Sequence, residues 1–438
     1  MSRAYLKIHH TAGNNANNND DQMNLLKTSL QSCPCCPETS NPKGYFFKND
    51  ISFKEDLHMD LGYPSEIKYL DTDLGNSSEF VQQLASNYAC CNTFKVLNEK
   101  GAEILENITR DMHAHVIRTS RYEAVRGGTF RSQFLYELGH SPSLLKLVSR
   151  LAGCELIYHP MRIHQLHINY KPQKEEEEDG KIRSVDRWHC DTTPFVLVLF
   201  ATSPEKYKGG RLEYYNGTRE EGTSYFKQNK LLPQEKVMNV GHQGKGYGVF
   251  MQGSRVYHQV TPVLQGKDRT TLVFSFQPSN PLAKECISHL AQTYNERDPL
   301  AIICTDWARF HAWKTIRRLD VMHENININD PELIAAMVEC KEKMNIILRK
   351  LPYMLDRKGI ENQLKEAIRS VNAYVNKMNW GNTINDDNTI SDEGNMILLK
   401  QSFQRSKYGL QNLKCAIQEV EICIDDVLNI QAGAMEYF

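Results

Sequence analysis

The chain has 438 residues, with 52 Lys plus Arg against 53 Asp plus Glu and a formal net charge of -1. Such balance excludes the basic footprint of a general nucleic-acid or acidic-membrane binder, so neither is expected as a partner. The longest apolar run, Phe195 to Ala201, is strand-sized, and the N-terminus Met-Ser-Arg-Ala-Tyr-Leu-Lys lacks the apolar core of a secretory signal; a soluble cytoplasmic protein is expected.

Residues 1–45 read as disordered. Gly13 to Asp21 is nearly all Asn and Asp, and Pro34, Pro37 and Pro42 follow, too little apolar surface to offset ordering entropy. Cys33, Cys35 and Cys36 cluster here among twelve cysteines, but no Cys/His pair follows at zinc-site spacing. They read as reduced thiols. Residues 46–150 take a helical texture and are expected to form the N-terminal part of an enzyme domain. Ser78 is placed to cap a helix through Phe80, Val81, Leu84 and Tyr88. Phe94 to Leu97 reads as a short strand. Gly101 to Ile117 carries apolar residues at helical spacing, and Ser141 to Leu151 forms a helix with Pro142 in its first turn.

From residue 151 to 278 the texture turns to β. His159 to Tyr170 alternates imperfectly, and Phe195 to Phe200 is continuously apolar, as for a strand buried on both faces. Arg211 to Tyr215, Gly248 to Met251, Arg255 to Val260 and Thr270 to Phe276 add further strands between Gly-rich turns, a pattern suited to a sandwich or jelly roll. The acidic run Glu175 to Asp179 reads as a solvated loop. Residues 279–325 continue as helix, including Asp306 to Trp313, and 326–438 read as a helical bundle. Its helices begin at Asp330-Pro331, cover Ile360 to Met378, and run from Met396 to Ile430. The last has a heptad seam through Leu399, Phe403, Leu410, Leu413, Ile417, Val420, Ile424 and Val427. That stripe folds back on the bundle or mediates self-association. The fold class expected is therefore α+β: a jelly-roll core, helical N-terminal support and a C-terminal helical extension.

The chemistry centres on Arg187-Trp-His-Cys-Asp-Thr-Thr-Pro. His189 and Asp191 lie two apart, so on a strand they share a face. His258 follows 67 residues after Asp191. Two imidazoles and one carboxylate can hold one face of an iron ion and leave the opposite face open. Arg269 lies eleven residues beyond His258, and Thr271 shares its strand face. A guanidinium with a hydroxyl suits a carboxylate. Gln165, His167 and Asn169 alternate on a strand before these residues and are candidate substrate or cosubstrate contacts; partial solvation or backbone pairing explains them equally well. Tyr170 and Trp188 read as packing residues.

His189-x-Asp191, Gly209-Gly210-x-Leu212, His258-x-Val260-x-Pro262-Val263 and Lys267-Asp268-Arg269-x-Thr271 together resemble the 2-oxoglutarate/iron(II)-dependent dioxygenases, across about residues 150–278. The resemblance implies a double-stranded β-helix fold, Fe(2+) on His189, Asp191 and His258, and 2-oxoglutarate as cosubstrate, with Arg269 and Thr271 receiving its far carboxylate. It implies O2 consumption, release of succinate and CO2, and oxidation of an unactivated C–H bond. Halogenating relatives lack the carboxylate, so Asp191 speaks against halogenation. The Trp188 to Phe200 block and the Asp306 to Trp313 segment look more like members directed at small amino-acid-like molecules than prolyl hydroxylases. Algal kainoid synthases, which close a ring on an N-prenylated glutamate, are one such group. A protein hydroxylase using the C-terminal bundle to recruit its target, and an inactive scaffold, are the alternatives; the intact His189, Asp191, His258 and Arg269 count against the scaffold.

Overall fold

The computed structural model describes residues 51–118, 122–172, 182–266, 268–281 and 283, together with Trp307, Phe310, Trp313, Lys314 and Arg317. The chain divides into two compact units. One comprises Glu38–Ile287 with Asn295–Asp298; the other comprises Met1–Pro37, Ser288–Tyr294 and Pro299–Phe438. In the second, Trp307, Phe310 and Trp313 are helical, as expected, and the Phe310 and Trp313 rings stack at 6.2 Å. The heptad-patterned helix, the other bundle helices, the Cys33 cluster and the acidic run lie outside the described residues.

The first unit is mixed helix and sheet. Its elements in chain order begin with α1 Glu55–His58, β1 Ile67–Tyr69, α2 Ser78–Val81, β2 Tyr88–Cys91, β3 Phe94–Lys95 and α3 Glu99–Met112. There follow β4 Ile117–Arg118, β5 Glu123–Arg126, α4 Gln133–Gly139, α5 Pro142–Ala152, β6 Leu156–Tyr158, α6 Arg162–Gln165 and β7 Leu166–Tyr170. The remainder is β8 Ser184–His189, β9 Phe195–Phe200, β10 Lys208–Gly209, β11 Leu212–Tyr215, α7 Arg219–Lys227, β12 Val237–Asn239, β13 Tyr247–Met251, β14 His258–Gln265 and β15 Thr270–Pro278.

These strands form two antiparallel sheets. The larger runs β1-β2-β13-β9-β15-β7-β5-β4, with β3 on β13 and β6 on β15; the smaller runs β10-β14-β11-β12, with β8 on β14. Period-two alternation along β9 explains its apolar run. Phe195, Leu197 and Leu199 join one apolar cluster with residues of α3, α4 and α5, among them Leu105, Leu135 and Val148. Val196, Val198 and Phe200 join another with Val185, Leu212, Val260 and Val263 of the smaller sheet. Helices therefore cover one face of the large sheet, and the small sheet covers the other.

Sequence patterning missed several elements. Residues 46–150 are not simply helical: β1 to β5 lie there and extend the larger sheet. The helix cap is Ser77, whose hydroxyl accepts from Phe80 N, and the helix ends at Val81. Tyr88 instead opens β2, and its hydroxyl donates to the Phe250 carbonyl at 2.8 Å, so tertiary pairing overrides a local helical period. Between His159 and Tyr170 the chain makes the helical turn α6 before β7 begins. The last long strand pair starts at His258, because Arg255 and Val256 donate to Gln252 O in a tight turn.

Candidate metal centre

The small sheet brings the two histidines together. His258 opens β14 and faces His189 at the end of β8 in register. The residues just before them, Trp188 and Tyr257, stack at 5.4 Å and 21°. Side chains one apart leave a strand on opposite faces, so this stack fixes the register from behind while the imidazoles meet in front. Their ring centroids are 4.2 Å apart.

Asp191 completes the group. It lies just past β8, tethered by its N–H to Gly253 O at 2.9 Å. One carboxylate oxygen is 3.4 Å from His189 Nε2, the other 3.6 Å from His258 Nε2. Gly253 backs the carboxylate so closely that an added Cβ would stand 2.1 Å from Oδ2. His189, Asp191 and His258 thus offer three ligand atoms all within 4.8 Å of one another.

The donor set is prepared for a cation. His189 Nδ1 lies 2.6 Å from Arg187 O and His258 Nδ1 lies 2.9 Å from Val256 O. A carbonyl only accepts, so each Nδ1 carries the proton and each Nε2 presents a lone pair toward Asp191. Burial pushes the His258 imidazole below its ordinary pKa; neighbouring His189 adds to this and Asp191 opposes it. Burial alone would raise the Asp191 carboxyl, but His258 and His189 hold it well below the usual carboxylate range. Oδ2 of Asp191 is buried without a hydrogen-bond partner. An orphaned buried anion between two imidazole lone pairs fits a bound metal ion.

Arg269 and Thr271 meet as the sequence implied. Both are buried, and Arg269 Nη1 donates to Thr271 Oγ1 at 3.1 Å while Nε donates to Gly210 O at 3.1 Å. Nη2 is buried without a partner. Burial lowers the Arg269 pKa, and the Tyr207 hydroxyl beside it opposes that shift. Gly210 has φ +59 and a Cβ there would press Arg269 at 3.2 Å, so glycine lets the backbone approach the guanidinium.

The remaining candidates divide. His167 and Asn169 alternate with Leu166, Ile168 and Tyr170, which belong to the helix-side core. They therefore face the small sheet, and the charge of His167 acts on Asp191. Asn169 pairs with Thr271 across the β7–β15 ladder. Gln165 departs from the expectation: it ends α6, not a strand, and its Oε1 accepts from Thr129 Oγ1 at 3.2 Å. Tyr170 is a packing residue whose hydroxyl donates to Thr109 O.

Sequence reasoning missed Asp186, Gly253 and Arg126. Asp186 Oδ2 is 3.6 Å from His189 Nε2. Arg126 pairs with His167 in register, and its Nη2 lies 3.5 Å from His164 Nε2. None had a spacing signal: Asp186 stands an odd number of residues from His189, and Arg126 belongs to a stretch read as helical.

A sequence model of the family described as Halogenase D matches residues 84–295. Solved structures similar to the chain include the non-heme α-ketoglutarate-dependent epimerase SnoN from nogalamycin biosynthesis, at 16% identity over 47% of this chain and 85% of that one, with a TM-score of 0.33. HygX from Streptomyces hygroscopicus, with nickel and 2-oxoglutarate bound, shows 11% identity over 47% and 88%, with a TM-score of 0.30. A prolyl-4-hydroxylase from Pseudomonas putida shows 13% over 40% and 87%, with a TM-score of 0.27. SnoN has also been crystallised with Fe3+ and α-ketoglutarate. No curated protein sequence matches the chain. Among the described residues, no helix is long and apolar enough to cross a membrane.

Proposed function

We propose that this chain is an iron(II)- and 2-oxoglutarate-dependent oxygenase built on a double-stranded β-helix, with the metal on His189, Asp191 and His258. The observation that carries this reading is the pair of imidazole Nε2 atoms converging on the unpartnered, buried Asp191 oxygen. Arg269 supports it: a buried guanidinium with a spare donor, steadied by Thr271 and Gly210, suits the far carboxylate of a dianionic cosubstrate. Bound iron(II) would supply O2 activation, coupled to conversion of 2-oxoglutarate to succinate and CO2, with one oxygen atom entering succinate and the other ending in hydroxylated product or in water.

The residues' own part is to bind and exclude. Main-chain carbonyls fix both imidazole tautomers, Gly253 holds the Asp191 carboxylate in place, and Arg269 sets the direction of the cosubstrate. Asp191 supplies the carboxylate that a halide would have to replace, so we assign oxygenation despite the match to Halogenase D. The substrate we favour is a small amino-acid-like molecule, oxidised by hydroxylation or by ring closure as in kainoid synthases acting on N-prenylated glutamate. His167, Asn169 and Arg126 furnish polar contacts beside the metal centre for such a molecule. The test is anaerobic loading with iron(II) and 2-oxoglutarate, then O2 and a metabolite panel that includes N-prenylated glutamate. Substrate-dependent succinate release is expected, abolished in His189→Ala, Asp191→Ala and His258→Ala. Undiminished release by folded His258→Ala would overturn the assignment.

A further inference from the structure

A second carboxylate stands at the metal centre. Asp186 is buried, and its Oδ2 lies 3.6 Å from His189 Nε2, against 3.4 Å for Asp191 Oδ1. Residues three apart on a regular strand point to opposite faces. Here the β8–β14 ladder slips: His189 pairs with His258, but Asp186 pairs with Val260, so three steps on β8 oppose two on β14. An extra residue of this kind re-aims a side chain. The slip turns Asp186 to the side that presents His189 Nε2. The negative charge of Asp186 is also felt at His258 and at Arg269. It therefore reaches both the metal ligands and the guanidinium assigned to the cosubstrate.

We propose that Asp186 is a positioning residue that holds the divalent ion before cosubstrate arrives and competes with the cosubstrate carboxylates when they do. This rests on the metal site proposed above. Two carboxylates and two neutral imidazoles already balance the two charges of the ion. A dianionic 2-oxoglutarate then meets a surplus negative charge beside His189, and it shares Arg269 with Asp186. The inference is distinct from the triad itself, because the effects on the two ligands have opposite signs.

Asp186→Asn keeps the shape and removes the charge. In the full chain, titrated anaerobically with manganese(II), it should bind the metal about 10-fold more weakly. The manganese-loaded variant should bind 2-oxoglutarate several-fold more tightly than wild type. Asp186→Glu should keep metal affinity near wild type without that gain. Should the Asn variant fail to fold, Asp186→Ser, which leaves room for water, carries the same two expectations. Manganese affinity within twofold of wild type, or metal and cosubstrate weakened together, overturns the inference and leaves the triad standing. Wild-type manganese binding insensitive to His258→Ala overturns the triad and this inference alike.

Discussion

At the scale of single residues, the site depends on a few atoms that have no substitute within the protein. Arg269 Nη2 is one. Removing the guanidinium in Arg269→Ala leaves an incoming carboxylate unpaired in a buried place, a loss of about 3–5 kcal/mol. We expect the apparent Kd for 2-oxoglutarate to rise by at least about 100-fold, with metal affinity unchanged, measured by calorimetry on the manganese-loaded protein. An unaltered cosubstrate titration would assign the carboxylate to another cation. Gly253 is the other. A methyl group there meets Asp191 Oδ2 at 2.1 Å and its Cβ at 3.0 Å, so the carboxylate must move. Gly253→Ala is expected to weaken metal binding by roughly 10- to 100-fold, the range seen when ligand-supporting groups are lost. Equal metal titrations for the variant and wild type would show that Asp191 is not held from behind.

At the scale of elements, α5 illustrates how the scaffold is secured away from the chemistry. Ser141 caps it, accepting from Leu144 N at 3.1 Å. The Glu55 carboxylate then takes hydrogen bonds from the Ser141 hydroxyl, Ser143 N at 3.0 Å and Ser143 Oγ at 2.6 Å. Glu55→Ala should cost about 1–2 kcal/mol in urea unfolding and leave metal affinity alone; a matching loss of metal binding would tie the helix layer to the centre directly. This helix was legible in the sequence because Ser141-Pro142 is a local start signal. So was β9, whose two apolar faces serve two different layers. The short strands β1 to β5 were not, because two to four residues show no period and owe their conformation to pairing with distant strands. The site shows the same division. His189 and Asp191, two apart, converge with His258 and Arg269 at spacings the sequence displays. Asp186 was hidden because a slip in pairing, invisible along one strand, reverses its direction.

For the whole molecule, the acid response follows from its buried imidazoles. His159 is pushed down to about 4 by burial, opposed by a backbone hydrogen bond at Met161. His164 is held well below its ordinary value by burial, with Arg126, His159 and His167 adding to it. His258 is lowered as well. Between about pH 6.5 and pH 4 the unfolded chain therefore binds protons that the folded chain refuses, so stability falls as pH falls. His159 alone accounts for up to about 3 kcal/mol across that window. Metal-free protein is expected to lose stability steadily from pH 7 to pH 5 in urea melts. Glu55, held below its ordinary value, adds its own loss only at lower pH. Metal-loaded protein should unfold later at each pH, because the ion binds only the neutral imidazoles of the folded state. A flat profile between pH 7 and pH 5 would mean that these histidines charge without cost.

The stack of Trp188 on Tyr257 has an optical consequence. The indole stands one residue from His189, on the far face of the same strand, at a fixed attitude to a tyrosine that itself adjoins His258. A paramagnetic ion entering the triad lies within quenching range of that indole, whereas zinc, with its filled d shell, would leave the emission largely untouched. The fold thereby carries an internal lamp for its own occupancy: the fluorescence of Trp188 dims as the centre fills and brightens as a chelator empties it.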